Sequence, residues 1–221
     1  MKTSKIFFLM IAFVCVSATS YAQPGFATNG KTQLIDGSLK VLNGQTALSV
    51  VFTYDNMLVD GMSEDNYITK KTQEQNKMKS GSGDSWATKW KEDKTARFEP
   101  EFMKWLNNSM KKLGIVATAV TGEASTTYTL KIQTVQIRPG VYTGVSVGGK
   151  SIGEDTFIDV QATLIETANP SNVLATIMAT KVIGESVSFA NYDGGLRIMA
   201  AYQVAGKNIG SFIVKNCKSK K

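Results

Sequence analysis

The chain has 221 residues, of which 43% are hydrophobic and 19% charged, with two cysteines, no histidine and a formal charge of +7. That apolar share is enough for a packed core and excludes a disordered chain. The missing histidine excludes Ser-His-Asp and Cys-His nucleophilic chemistry and most catalytic zinc sites.

The N-terminus follows the three-part order of a secretory signal peptide: Lys2 and Lys5, an apolar run over Ile6–Val16, then Ser17, Ala18, Ser20 and Ala22. This order predicts a signal peptide over residues 1–22 and a mature chain from Gln23. The apolar run is shorter than the ~20 residues a membrane span needs. No later segment is apolar for that length, so no span is expected in the mature chain. Cys15 follows Phe13 and Val14 rather than the small residues of a lipobox, and is expected to leave with the signal peptide. Cys217 then has no internal disulfide partner. Losing Lys2 and Lys5 lowers the formal charge by two. The remaining lysines are scattered except for Lys215, Lys218, Lys220 and Lys221, which read as a solvated tail over 215–221. Export makes nucleic acid an unexpected partner.

Residues 23–36 read as a polar leader, and Gly37–Gly44 as a short strand with Leu39 and Val41 on one face. Ala47–Tyr54 alternates large and small groups and predicts a better strand. Ser63 is a good N-cap, with Glu64 and Asp65 at the positive end of a polar helix that runs to about Lys77. Ser80-Gly81-Ser82-Gly83 breaks it, and Asp84 or Ser85 caps a segment bearing Trp86 and Trp90. Pro100 predicts a kink or a fresh start near Glu99. Phe102, Trp105, Leu106, Met110 and Leu113 then share one helical face, and Gly114 stops the helix.

Ile115–Val120 predicts a strand. Thr127–Arg138 alternates with a phase slip: Tyr128, Leu130 and Ile132 share one face, while Val135 and Ile137 lie on the other. A bulge near Gln133–Thr134, or burial of both faces, resolves it. Phe157–Glu166 places Ile158, Val160, Ala162 and Leu164 inward. Asn169-Pro170-Ser171-Asn172 predicts a turn, and Val173–Ile183 a central strand. The chain closes with an amphipathic helix over about Gly195–Val214, whose stripe is Ile198, Tyr202, Ala205, Ile209 and Phe212. Gly206 and Gly210 predict close packing of that helix on a sheet.

Gly144 to Ser151 satisfies the phosphate-loop pattern GxxxxGK[ST], which needs a strand before it and a helix directly after it. Turn and strand residues follow instead, so a glycine-rich hairpin is expected. Ser109 and Lys112 have SxxK spacing on the polar side of a helix, and Glu154 and Asp155 are adjacent carboxylates. Neither pair has the companions that hydrolytic chemistry requires. No catalytic, cofactor-binding or metal-ligating residue is therefore assigned. The aromatic concentration leaves Trp86, Trp90 and Tyr142 as candidate partner-binding residues.

The segments Tyr128–Thr134, Phe157–Glu166, Val173–Thr176 and Ala200–Ile209 carry a resemblance. In this order of strands and helices, residues 45–214 resemble the exported α/β domains related to the TolB N-terminal domain and the curli secretion-channel lipoprotein. The resemblance implies an envelope accessory or assembly protein and transfers no active-site residue. The expected fold is an α/β sandwich of the α+β kind. A mostly antiparallel sheet carries helices mainly on one face, ending in the C-terminal amphipathic helix. Its parts are residues 23–44 as leader and short strand, then one domain over 45–214 with a polar helical excursion at about 60–99. The expected function is a non-enzymatic envelope protein, periplasmic, outer-membrane-associated or secreted, that binds a protein or glycan partner. A homo-oligomer is compatible with it. The alternative is a small-ligand-binding protein that uses the aromatic-rich helical surface.

Overall fold

The structure is a computed structural model that describes residues 30–122, 124–147, 150–184 and 193–218, with side chains outside 142–153. The signal peptide expected over residues 1–22 and the side chain of Tyr142 lie outside the described residues. Eight strands form one sheet. Its main path runs β1 (Thr32–Gly37), β10 (Asn169–Ile183), β9 (Phe157–Glu166), β6 (Tyr128–Arg138), β2 (Ala47–Thr53) and β5 (Val116–Ala119). The short strands β3 (Leu58–Val59) and β4 (Met62–Ser63) branch from β6.

The pairs from β1 to β6 are antiparallel, as the sequence leads one to expect. β2 differs: it runs parallel to both β5 and β6. The cause is the long helical insertion after β2, which supplies the crossover that parallel neighbours require. This insertion holds α1 (Glu64–Met78), α2 (Ser82–Asp93) and α3 (Glu99–Met110).

α1 starts where Ser63 accepts a hydrogen bond from the Asn66 N–H at 3.4 Å. α2 and α3 are joined through a π-helical turn at Lys94–Phe98, in which the Glu99 N–H donates to the Lys94 carbonyl five residues back. Pro100, which has no N–H to give, follows directly in the first turn of α3. The break expected near Glu99 is therefore a widened turn in a continuing helical rod. Gly114 ends the segment with φ of 72°.

The bulge in β6 falls at Val135, where the register against β9 slips between Thr134 and Gln136. Leu130, Ile132 and Thr134 are buried before it and Ile137 after it. One extra residue therefore returns the odd positions to the core. Ile158, Val160, Ala162 and Leu164 of β9 are all buried. They meet α3 and α4 (Gly194–Cys217) across the interface through Phe102, Leu106, Ile198, Tyr202, Ile209 and Ile213. The buried Tyr202 hydroxyl and Thr134 hydroxyl satisfy each other at 2.6 Å. The Tyr202 ring stacks on Phe98 at 5.0 Å.

Five local readings change. Thr32–Gly37 is an edge strand on β10 and not part of a leader, and Lys40–Leu42 is a 3₁₀ turn. The β9–β10 turn sits at residues 167–168, because Glu166 already faces Asn169, and Pro170–Asn172 form an irregularity within β10. β10 lies next to the sheet edge rather than at its centre. Gly206 and Gly210 press against α3 and not against the sheet. A Cβ on Gly206 would lie 2.3 Å from the Phe102 carbonyl oxygen, and one on Gly210 would lie 2.7 Å from the Ser109 Cβ.

Candidate functional site

α1 and α2 form a closely crossed helical hairpin. Ser82 Oγ donates to the Gln75 carbonyl at 2.8 Å, and the Gly83 N–H donates to Asn76 Oδ1 at 2.8 Å. A Cβ on Gly83 would fall 2.1 Å from the Thr72 carbonyl oxygen, so only glycine permits this crossing. The hairpin brings Tyr67 of α1 against Trp86 and Trp90 of α2, with ring centroids 6.0 and 5.4 Å away and the two indoles 5.5 Å apart.

The two tryptophans play different parts. Trp90 is 7% exposed and donates its indole N–H to Glu64 Oε1 at 2.7 Å. Glu64 also accepts from Lys94 at 2.7 Å, and the Lys94 ammonium lies 4.5 Å over the Tyr54 ring. Tyr54 donates to Glu99 at 3.1 Å. The π turn thus aims Lys94 inward, and Trp90 anchors the hairpin to it. Trp86 is half-buried and lies on the wall of an open cleft. The indoles are therefore in contact but not exposed as a pair.

The cleft has a volume of about 590 Å³. Tyr67, Trp86 and Trp90 form its aromatic wall, with Lys71, Gln75 and Lys89 beside them. The opposite wall is the β6–β7 turn at Pro139–Gly140 and the start of α4 from Asp193 to Ile198. Asp193 caps α4, accepting from the Gly195 N–H at 2.8 Å and the Leu196 N–H at 3.4 Å. Its other oxygen accepts from Lys89 at 3.0 Å and from Arg97 at 3.3 Å. Arg97 reaches Asp93 as well, at 3.1 Å. A Cβ on Gly195 would lie 2.3 Å from Asp93 Oδ2, so the two walls touch at that glycine. Arg197 donates to Thr156 Oγ1 and to the Pro139 carbonyl, both at 3.1 Å, and ties α4 to the β6–β7 turn.

Charge in the cleft is distributed by these contacts. Burial pushes the Asp93 carboxyl above the usual range and outweighs the Arg97 and Lys89 charges beside it. Burial acts the same way on Asp193, but Lys89, the Gly195 N–H and Arg97 together hold it below that range. Burial, with the nearby Asp60 and Glu74 charges, raises the Tyr67 phenol to about 12. Burial depresses the Arg197 guanidinium, while Asp193 and Tyr67 favour its charged form. Both carboxylates are bound into the architecture, one as a helix cap and one as an ion pair.

The other patterns singled out from the sequence fall elsewhere. Gly144–Ser151 spans an antiparallel hairpin, β7 (Val141–Val147) with β8 (Lys150–Glu154), and β9 rather than a helix follows it. Gly148 and Gly149, the second of which is a glycine of the pattern, lie outside the described residues. Ser109 donates to the Lys207 carbonyl at 3.2 Å, bridging α3 and α4, while Lys112 is exposed. Glu154 is exposed and paired with Arg138 at 2.9 Å. Among the described residues no group of three or more His, Cys, Asp or Glu side chains is placed to hold a metal, and no helix is long and apolar enough to cross a membrane.

Sequence reasoning found the aromatic wall and missed the polar one. Asp193 followed by Gly194-Gly195 is a legible cap signal. Asp93 and Arg97 stand at the i,i+4 spacing of a helical ion pair, but nothing local ties Arg97 to Asp193 or Arg197 to Thr156 and Pro139, which are distant in the chain.

No family model and no curated protein matches this chain. Several solved structures show distant similarity, these three among them. The PelC dodecamer protein of Paraburkholderia phytofirmans has 12% identity and a TM-score of 0.36, over 79% of this chain and 96% of that one. A DUF330 protein of Xanthomonas campestris has 11% identity and a TM-score of 0.30, over 81% and 91%. A neuraminyllactose-binding hemagglutinin homolog of Helicobacter pylori has 10% identity and a TM-score of 0.27, over 82% and 87%. Scores this low do not define a shared fold.

Proposed function

We propose that this chain is an exported, non-enzymatic envelope protein whose cleft receives a saccharide ring of an envelope glycan. The observation that carries the reading is the Trp86 indole on the wall of a cleft of about 590 Å³ that also presents Lys71, Gln75 and Lys89. A sugar ring offers an apolar C–H face and a rim of hydroxyls. An indole wall beside amide and ammonium donors matches both. The volume lies within the roughly 300–1,000 Å³ of small-molecule sites. The non-enzymatic part rests on the two carboxylates, each of which is committed to structure, and on the absence of histidine from the sequence. Export rests on the N-terminal order of Lys2, Lys5, Ile6–Val16 and Ala22.

Calorimetric titration with soluble peptidoglycan and outer-membrane oligosaccharide fragments tests it. Saturable binding that Trp86→Ala abolishes, with thermal unfolding retained, supports the reading. No saturable binding to any fragment at millimolar concentration overturns it. The same volume suits a free ring-bearing metabolite. A thermal-shift screen favours that second reading if small molecules stabilise the protein and oligosaccharides do not.

A further inference from the structure

Between Phe102 and Gly122 the sequence holds three lysines and no acidic residue, and from Gly194 to the end of the chain it holds no acidic residue at all. The fold brings these two stretches together. α3 and α4 run side by side in the same direction: Gln203 donates to Glu101 at 2.9 Å near one end, and Ser109 meets Lys207 at 3.2 Å further along. Core positions Phe102, Leu106, Ile209 and Ile213 face the sheet. The outward faces therefore carry Lys104, Lys111 and Lys112 on the α3 side and Lys207, Lys215 and Lys218 on the α4 side, all exposed. Of the six, Lys104 pairs with Glu101 at 3.3 Å, and none of the other five has an ion-pair partner among the described residues. Lysines scattered in the sequence thus become one basic face.

An apolar seam runs through this face. Trp105 and Val204 line the groove between the helices beside Lys207, and the buried Trp105 indole N–H has no hydrogen-bond partner. A half-buried indole lining an apolar groove among lysine ammoniums suits a boundary between phosphate groups and hydrocarbon. A soluble polyanion offers the phosphates or sulfates but not the hydrocarbon. We infer that the α3–α4 face docks on an anionic phospholipid surface, with the lysines at the headgroups and Trp105 at the seam. Arg197 at the cleft and Lys215 on this face are about 27 Å apart along α4, so both sites can be occupied together.

The test is co-sedimentation of the protein, recovered after export from a bacterial host, with vesicles of phosphatidylcholine alone or mixed with phosphatidylglycerol. The readout is the difference between the two, to which any apolar segment contributes equally. The wild type should partition preferentially to the anionic vesicles, and the preference should fall as salt rises. The triple variant Lys111→Glu, Lys112→Glu, Lys215→Glu should lower it by about 100-fold. A control triple at exposed lysines of the α1–α2 hairpin, Lys70→Glu, Lys79→Glu, Lys91→Glu, has the same net charge and should retain most of it. Acyl-brominated lipid should quench indole fluorescence, and Trp105→Phe should remove that quenching where Trp86→Phe does not. Equal losses in both triples, no preference for anionic vesicles, or binding to soluble polyphosphate without binding to vesicles would each overturn the inference. Trp86→Ala should leave vesicle binding intact, which separates this result from the fate of the cleft reading.

Discussion

Asn107 of α3 and Ala117 of β5 hold each other by two reciprocal hydrogen bonds: the Asn107 amide donates to the Ala117 carbonyl at 2.9 Å and accepts from the Ala117 N–H at 2.8 Å. β5 is an edge strand, and the N–H groups of Val116 and Val120 on either side already point to carbonyls of the β2 segment. By alternation, Ala117 turns its backbone groups outward. A side-chain amide therefore stands in for a missing neighbouring strand and closes the edge. Asn107→Leu leaves a buried donor and acceptor without partners and should cost about 2 kcal/mol. The urea midpoint should fall, and light scattering should report self-association as the edge opens. An unchanged midpoint would show that water replaces the amide without loss.

Much of the fold was legible where one face of an element is buried and the other is wet. β9 alternates because Ile158, Val160, Ala162 and Leu164 all face the helices. The phase slip in β6 was legible for the same reason and located the bulge to within two residues. Thr32–Gly37 was not legible: as an edge strand it buries little, and its pairing to β10 is made by backbone groups that leave no trace in side-chain pattern. For the candidate site, Trp86 and Trp90 could be read from one helical segment. The opposite wall could not, because Lys89 and Arg97 meet Asp193 across about a hundred residues of chain.

Gly206 shows the limit of a local signal. Its spacing from Gly210 announced a close approach, but a missing side chain specifies a distance and not a neighbour. The neighbour is the backbone of α3, where a Cβ would lie 2.3 Å from the Phe102 carbonyl oxygen. Alanine in a helix interior is ordinarily favoured over glycine by about 1 kcal/mol. Overpacking against a backbone atom costs about 1–3 kcal/mol. Gly206→Ala should therefore lower the thermal midpoint, and Gly206→Val should lower it further. A rise with Gly206→Ala would mean that α4 can move away from α3 at little cost.

Glu64 joins three elements: its two oxygens take the Trp90 indole N–H and the Lys94 ammonium, both at 2.7 Å. Lys94 and Glu64 side chains are 17% and 19% exposed, so water covers little of the pair. Glu64→Ala strands a nearly buried ammonium and an indole donor together, and should cost about 3 kcal/mol in chemical denaturation. Glu64→Gln keeps an acceptor for the indole and should cost less. Lys94→Met in the Glu64→Gln background should recover part of the loss, since no unpaired charge remains. Equal costs for the Ala and Gln variants would argue that the indole bond contributes nothing.

Asp193 makes stability depend on pH with a sign that can be worked out. Its carboxyl, although partly buried, is held below its ordinary range by Lys89, the Gly195 N–H and Arg97. Folding therefore favours the ionised form. This contribution is fully present above the unfolded carboxyl pKa of about 3.9 and is lost as pH falls through the lower folded value. Asp193→Asn keeps a good helix cap while removing the charge that Lys89 and Arg97 share. Lys89 is 49% exposed, which screens the pair, so the loss at pH 7 should be about 1 kcal/mol. Asp93 and Glu99 titrate in the opposite sense, each raised chiefly by burial, so the measurement must be the difference between wild type and variant. That difference should hold from pH 7 to about 5 and shrink below pH 4. A constant gap down to pH 3 would place the whole effect of the substitution in the cap, and none in the charge that links the two walls of the cleft.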